Sequence, residues 1–292
     1  MRLQITNLMK KYKGSETALH DVSCSFGKGI VGVIGPNGAG KTTFLRILAG
    51  LEDPTAGQVH FDGLELRQNK QTFRSMMGYL PQEFGFHKKC TGEDMLNYIA
   101  VLKGINDKKM RQSMVDEAID LVNLKDVRKL IIEEYSFGMK RRLGIAQTLL
   151  GKPRILILDE PMEGLDLGEC IRLGRTLSEM ASQSLIVISA HSLSNVEFGC
   201  NTLLVLRQGY MLFDGGPAEM VGLADGLVWE TAVDFQQIEQ LKATFKVVGV
   251  QLKDGYGVVR ILSSRKPPGK AILVNARLEE GYLALMDVGV YT

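Results

Sequence analysis

Ile30-Val31-Gly32-Val33-Ile34-Gly35-Pro36-Asn37-Gly38-Ala39-Gly40-Lys41-Thr42-Thr43 is the stretch that decides the fold. Its first five residues form a continuous apolar run, which suits a strand buried on both faces of a mainly parallel sheet. The run ends in Gly35-x4-Gly40-Lys41-Thr42 and then a predicted helix, Lys41 to Ala49, stopped by Gly50. Glycines let backbone N–H groups turn inward around phosphates, and a helix N-terminus after Gly40 adds a favourable dipole. Lys41 would then reach the β- and γ-phosphates of a nucleoside triphosphate, and the Thr42 hydroxyl would take a Mg²⁺ position. The strand before the loop and the helix after it separate a phosphate cradle from an ordinary glycine-rich turn.

Two further apolar runs, Ile155-Leu156-Ile157-Leu158 and Leu185-Ile186-Val187-Ile188, read as strands of the same sheet. An α/β core follows, with helices packed on both sides. Asp159-Glu160 closes the first of these runs. A carboxylate at the carboxyl end of a parallel strand lies in the crevice where ligands bind. Asp159 suits a Mg²⁺ contact through water, and Glu160 suits the general base that orients an attacking water. Near the start, Leu3, Ile5 and Leu8 are separated by Arg2, Gln4 and Thr6, which predicts a strand with one buried face.

Between about Glu83 and Leu150 the pattern turns helical. Met110, Met114, Ala118, Leu121 and Val122 recur at helical spacing, as do Met139, Leu143, Ala146 and Leu150, and both stripes read as packed core faces. The run Lys140-Arg141-Arg142 reads as a solvated helix face, not as a phosphate or nucleic-acid site. From about Gly222 the chain is turn-rich. It predicts a strand at Val228–Val233, a helix from Phe235 to Phe245, a hairpin over Gln251–Arg260 around Asp254-Gly255, and a helix from Ala276 to Met286. Eight basic and eight acidic residues make this stretch neutral.

The composition limits the partners. A length of 292 residues has room for about two domains. Lys plus Arg is 35 against 33 Asp plus Glu, so no basic excess calls for nucleic acid. Cys24, Cys90, Cys170 and Cys200 are scattered with no CxxC pair, which predicts reduced thiols in a cytosolic protein. There is no run of 18 apolar residues to span a membrane, and the N-terminal stretch lacks the apolar core of a signal peptide.

With these motifs in this order, residues 1–220 or so resemble the nucleotide-binding subunit of an ATP-binding-cassette (ABC) transporter. Tyr12 fits the aromatic that stacks on adenine. Gly35, Pro36, Asn37, Gly38, Ala39, Gly40, Lys41, Thr42 and Thr43 fit the phosphate loop. Gln82, in Leu80-Pro81-Gln82-Glu83, fits the glutamine that senses the γ-phosphate and the bound metal. Tyr135-Ser136-Phe137-Gly138-Met139 sits where the family signature belongs. Asp159 and Glu160 fit the magnesium carboxylate and the base, Gly164-Leu165-Asp166 the loop facing the partner subunit, and His191 the switch histidine. The signature departs from the commonest form, Leu-Ser-Gly-Gly-Gln. Ser136 and Gly138 are kept, while Phe137 and Met139 replace the first glycine and the glutamine. Phe137 therefore requires a backbone compatible with a side chain. A bulky residue there, followed by Gly-Met-Lys, resembles the drug- and antibiotic-exporter branch, as does the terminal Leu278-Glu279-Glu280-Gly281-Tyr282-Leu283-Ala284-Leu285.

The resemblance implies an α/β phosphate-loop NTPase core with an antiparallel β subdomain and a helical insertion over about 83–150. Together they make a nucleotide-binding domain over 1–221, followed by a small C-terminal α+β accessory domain over 222–292. It implies ATP and Mg²⁺ as cofactors, and an ATPase that powers an exporter from the inner face of the cell membrane. Its partners would be separate polytopic membrane subunits and a second cassette, with no nucleic acid. Glu160, His191, Lys41 and Gln82 would act in hydrolysis. Ser136, Gly138 and Asp166 would face nucleotide across the two-subunit interface, and Thr42, Gln82 and Asp159 would hold the metal. Phe84 and Phe86 are candidate apolar anchors for the membrane subunits, or ordinary packing of the insertion on the core. The alternative function is a soluble cassette ATPase acting on ribosomes or DNA. Such proteins resemble two cassettes in one chain or a cassette split by a long coiled coil, and this chain has neither. Lys41, Asp159, Glu160 and His191 together argue against a non-hydrolysing regulatory module.

Overall fold

The computed structural model describes residues 1–14, 16–193 and 199–288. The last four residues of the expected accessory domain, 289–292, lie outside them. Contacts divide the chain into two compact units, Met1–Asp214 and Gly215–Thr292.

The first unit is built on a six-stranded sheet. Its order is Tyr210–Gly215, Thr202–Arg207, Gly29–Ile34, Leu185–Ala190, Ile155–Asp159 and Met77–Leu80. The strand before the phosphate loop pairs in parallel with Thr202–Arg207 on one side and Leu185–Ala190 on the other. The continuous apolar runs are explained by what covers each face. Val31, Val33, Ile155, Ile157, Leu185 and Val187 enter one core cluster; Ile30, Leu156, Leu158, Ile186 and Ile188 enter another on the opposite face. Side chains alternate across a strand, so a strand covered on both sides needs apolar residues at every position.

The first cluster is closed by an antiparallel sheet, in the order Thr17–Phe26, Leu3–Lys11, Ala56–Phe61, Leu64–Glu65. It also takes in the helix Lys41–Leu48 through Phe44, Leu45, Ile47 and Leu48. The uneven spacing of Leu3, Ile5 and Leu8 is absorbed by an irregularity in pairing between Ile5 and Leu8. Asn7 there has φ 49°; its N–H donates to Ser23 Oγ (2.8 Å) and its amide to Asp21 Oδ1 (2.7 Å). The extra residue turns Leu8 back to the buried face.

The second cluster is closed by the helical insertion, Gly92–Leu102, Lys108–Leu121 and Phe137–Leu149, with the helix Leu167–Met180. Met139, Leu143, Ala146 and Leu150 pack into it as expected. The other stripe is corrected at its first residue only: Met114, Ala118, Leu121 and Val122 pack in or against the cluster, joined by Val115 and Ile119, while Met110 is 53% exposed. Asp107 caps this helix by accepting from the Met110 N–H, which puts Met110 in the first turn, ahead of the packed part. Phe84 and Phe86 lie edge to face (5.5 Å) and pack against the same cluster, so both rings turn inward.

In the second unit an antiparallel sheet runs Lys246–Lys253, Tyr256–Leu262, Val228–Val233, Ile272–Leu273. The Asp254-Gly255 turn joins the first two strands, and the first begins five residues before the expected Gln251. The helices Phe235–Thr244 and Leu278–Val288 supply separate small apolar clusters, one around Ile238, Leu241, Val259 and Ile261, the other around Val228, Leu262 and Ala284.

All four cysteines are free thiols. Burial raises each of them, Cys200 to about 12. Thiolate chemistry is thereby suppressed at neutral pH.

Candidate active site

Carboxyl ends of the central strands and the loops after them converge on one cleft of about 360 Å³, within the usual range of small-molecule sites. It is lined by Ala18, residues 37–43, Gln82, Glu160 and His191. The loop can only be built with glycine at two places. A Cβ at Gly35 would overlap the Leu206 carbonyl oxygen. Gly40, at φ 102°, lies against the Ala18 carbonyl where the helix Lys41–Leu48 begins. Lys41 is 5% exposed, and its ammonium donates to the carbonyls of Gly35 (2.6 Å) and Pro36 (3.1 Å) and lies 3.4 Å from His191 Nδ1. Burial lowers its pKa, while Glu160 and Asp159 act in the opposite sense. The ammonium is thus the positive centre of the cleft.

Asp159 and Glu160 leave the strand differently. Asp159 is fully buried and does not line the cleft. One of its oxygens, Oδ1, accepts from Ser189 Oγ (2.5 Å); the other, Oδ2, is buried with no hydrogen-bond partner among the described residues. An unsatisfied buried anionic oxygen is costly, and it is the donor chemistry a hard cation or its water requires. Glu160 turns into the left-handed region at φ 53°, a conformation uncommon for a residue other than glycine. Its N–H donates to the same Ser189 hydroxyl (2.9 Å), which fixes the turn. Its carboxylate meets His191 Nε2 at 2.5 Å. Burial raises the Glu160 pKa, with His191 opposing and Asp159 reinforcing. A carboxylate raised in this way is a stronger base toward water.

Sequence reasoning missed two residues that hold this geometry. One is Ser189, the bridge just described; its signal was a lone hydroxyl after four apolar residues in one strand. The other is Arg141, and here the expectation of a solvated face is overturned. Arg141 is 3% exposed and donates to the Gln82 carbonyl (2.8 Å), the Asp159 carbonyl (2.9 Å) and the Glu160 carbonyl. Its guanidinium lies 5.5 Å from the centre of the Phe84 ring, which in turn presses on Gly144. A single cation therefore ties the signature helix to both Gln82 and the carboxylate pair. The sequence signal was helical register: Ile145 and Thr148, four and seven residues on, share its buried side. The neighbouring Arg142 is also engaged, with the carbonyls of Val122 and Asn123 and with Glu169.

Replacing Arg141 by Met is expected to leave three carbonyls short of a donor, at roughly 1–3 kcal/mol for a buried acceptor that cannot reach water. A urea-denaturation midpoint should fall accordingly, and an unchanged midpoint would show that the clamp carries no stability. Arg141→Lys should recover only part, because an ammonium lacks the fork.

Tyr12 follows the strand Leu3–Lys11, with its hydroxyl 3.3 Å from Thr43 Oγ1, beside the phosphate loop. Ser136, Gly138 and Asp166 are not brought into the cleft. Ser136 caps the helix Phe137–Leu149, accepting from the Met139 N–H (3.2 Å), and Asp166 caps Leu167–Met180, accepting from the Glu169 N–H (2.9 Å). The two caps are neighbours, since the Phe137 ring presses on Gly164 and Gly138 lies against the Gly164 carbonyl. Phe137 is the first helical residue and takes no positive φ, which is why a side chain replaces glycine there without strain. These residues form a second polar surface, apart from the cleft.

The sequence profile described as ABC transporter matches residues 19–163. The chain is 35% identical over 219 residues to the uncharacterized ABC transporter ATP-binding protein YxlF of Bacillus subtilis, covering 75% of this chain and 72% of that one. It is 33% identical over 221 residues to the bacitracin transport ATP-binding protein BcrA of Enterococcus faecalis, covering 75% and 70%. Among solved structures, the dimeric post-hydrolysis cassette MJ0796 bound to ADP and Pi superposes with a TM-score of 0.66 at 23% identity, over 73% of this chain and 98% of that one. Phosphate loop, strand-end carboxylates and cleft thus agree with the sequence similarity: this chain belongs to the ABC transporter family, as one of its ATP-binding subunits.

Proposed function

We propose that this protein hydrolyses ATP to drive an exporter built with separate membrane subunits, and that two cassettes close on ATP head to tail. The observation that carries the reading is the division of the site. Lys41, Gln82, Glu160 and His191 converge on one cleft, while Ser136, Gly138 and Asp166 form a surface outside it. A nucleotide held in the cleft would complete its shell with Ser136 and Gly138 of a second copy. The dimeric cassette similar in fold supports that arrangement, and the bacitracin transport relative supports export. No helix among the described residues is long and apolar enough to cross a membrane, and this reading gives the pathway to the separate membrane subunits. We place this subunit on the cytoplasmic face, with the helical insertion toward them.

In this reading backbone N–H groups of the loop and the Lys41 ammonium bind the β- and γ-phosphates. Glu160 accepts the proton of the attacking water. His191, bonded to Glu160 and close to Lys41, holds the γ-phosphate geometry. Thr42, Asp159 and Gln82 would hold Mg²⁺, which the unpaired Asp159 Oδ2 fits, and which supplies neutralisation of charge on the phosphate oxygens.

Sedimentation velocity tests the divided site. ATP bound between two copies stabilises the dimer by mass action, so a variant that binds without hydrolysing should stay associated. Glu160→Gln should form an ATP-dependent dimer in Mg-ATP that is absent in ADP. Adding Ser136→Arg should abolish it, and a dimer that tolerates Ser136→Arg would remove the signature from the site. A neighbouring reading frame for a polytopic membrane protein supports the transporter; one for a solute-binding protein would favour import.

A further inference from the structure

We propose that Glu52 is a positioning residue for nucleotide binding: its carboxylate holds the Tyr12 ring as the platform for the base, at a fixed place relative to the phosphate loop. The inference rests on the reading of Tyr12 as that platform. Tyr12 is 37% exposed, and a tyrosine ring at the end of a strand can turn about its side-chain bonds unless something holds it. Glu52 supplies the hold. The Tyr12 hydroxyl donates to Glu52 Oε2 at 2.6 Å, a bond to an ionised acceptor and therefore of the stronger class.

Glu52 is itself well placed. It follows the helix that starts at Lys41, and the backbone there folds back: the Gly50 N–H donates to the Ile47 carbonyl (2.9 Å), and those of Leu51 (3.0 Å) and Glu52 (3.3 Å) to the Arg46 carbonyl. Its carboxylate also meets Arg46 of that helix (3.5 Å) and Lys10 of the first strand (3.5 Å). The Arg46 side chain is half exposed and its pair is worth little, whereas Lys10 and Glu52 are mostly buried and their pair helps to hold the carboxylate; the phenol bond is the one that reaches the ring. The phosphate loop opens the N-terminal end of the helix, and the Tyr12 hydroxyl spans it, touching Thr43 Oγ1 in the first turn (3.3 Å) and Glu52 beyond the last. One helix thus sets the distance between the two halves of the ligand site. Lys10 adds a choice of face. Its ammonium lies 5.0 Å over the ring centroid, so a base stacking on Tyr12 must use the opposite face. Burial and Glu52 raise the phenol pKa, which keeps the hydroxyl a donor through neutral pH.

Binding titrations with two probes, ATP and inorganic tripolyphosphate, separate this role from a general structural one. Base stacking on an aromatic typically contributes about fivefold to a hundredfold in affinity. Tyr12→Ala should weaken ATP by that order and leave tripolyphosphate unchanged. Glu52→Ala should weaken ATP by about two- to tenfold, the usual weight of one hydrogen bond, again sparing tripolyphosphate. The loss should appear in KM and not in kcat. Tyr12→Phe keeps the ring but loses both the Glu52 bond and the Thr43 contact, so it should weaken ATP at least as much as Glu52→Ala, and adding Glu52→Ala to it should cost nothing more. Glu52→Gln keeps an acceptor and should recover most of the affinity. If Tyr12→Ala weakens ATP and Glu52→Ala does not, the tether is overturned and the platform stands. If Tyr12→Ala leaves ATP unchanged, the platform fails and the proposal with it. If Glu52→Ala weakens tripolyphosphate equally, Glu52 supports the phosphate loop and not the ring, which also overturns it.

Discussion

Glu160→Gln is expected to lower ATP turnover by about 10²–10⁴-fold, the usual contribution of general-base assistance. The substitution keeps the length and most of the hydrogen-bonding shape, including a carbonyl oxygen that can still meet His191. What it removes is the group proposed to take a proton from water. The backbone N–H stays on Ser189, so the left-handed turn survives and nucleotide binding should persist. The pH profile supplies a second readout. Burial sets the Glu160 pKa above the ordinary carboxylate value, so the basic form is lost, as pH falls, earlier than for an exposed glutamate. Wild-type turnover should therefore rise with pH along an acid limb displaced upward from about 4.3. The residual activity of the variant should lack that limb. Wild-type turnover in Glu160→Gln would place the base elsewhere.

Lys41→Ala is expected to reduce turnover by at least about a hundredfold, with the fold retained. The side chain is buried, yet its ammonium bonds loop carbonyls and a histidine, so removing it takes a charge from the cleft without opening the apolar core. Losing one charge-assisted contact to a phosphate typically costs about 2–5 kcal/mol, much of it in the transition state. Removal of the buried ammonium also withdraws the cation that opposes the raised pKa of Glu160. Steady-state hydrolysis and a thermal melt on the same preparation check both halves of the expectation. Unchanged turnover would sink the role assigned to Lys41.

The sequence carried the parts of this protein that depend on local pattern. Uninterrupted apolar runs meant strands covered on both faces, because alternate side chains must enter two different cores. Gly35 and Gly40 meant a loop pressed against neighbouring backbone. Of the carboxylate pair at the end of Ile155–Leu158, Glu160 reached the crevice, since parallel strands open there, while Asp159 stayed fully buried beside it. Stripes were less secure. Met139, Leu143, Ala146 and Leu150 fell inward, but the cap at Asp107 set the register of the preceding insertion helix and left Met110 outside. Charge was the least legible signal. Arg141 reads as solvated beside Lys140 and Arg142, yet it lies inside, where three carbonyls from two distant segments accept from its two terminal nitrogens.

What the sequence by itself determined is the strand, loop and helix around Lys41 and the two apolar strands that end at Leu158 and Ile188, which follow from residue type and short-range spacing. The family, and with it the places of Gln82 and His191, came from the resemblance carried by the ordered motifs. Tertiary structure alone decided the partners of Arg141, the Ser189 bridge between Asp159 and Glu160, the tether from Glu52 to Tyr12, and the separation of Ser136 from Lys41. Those contacts join residues 18 to 59 positions apart, and in the last case hold two groups apart. They depend on how the sheet and the insertion pack, which no local pattern encodes.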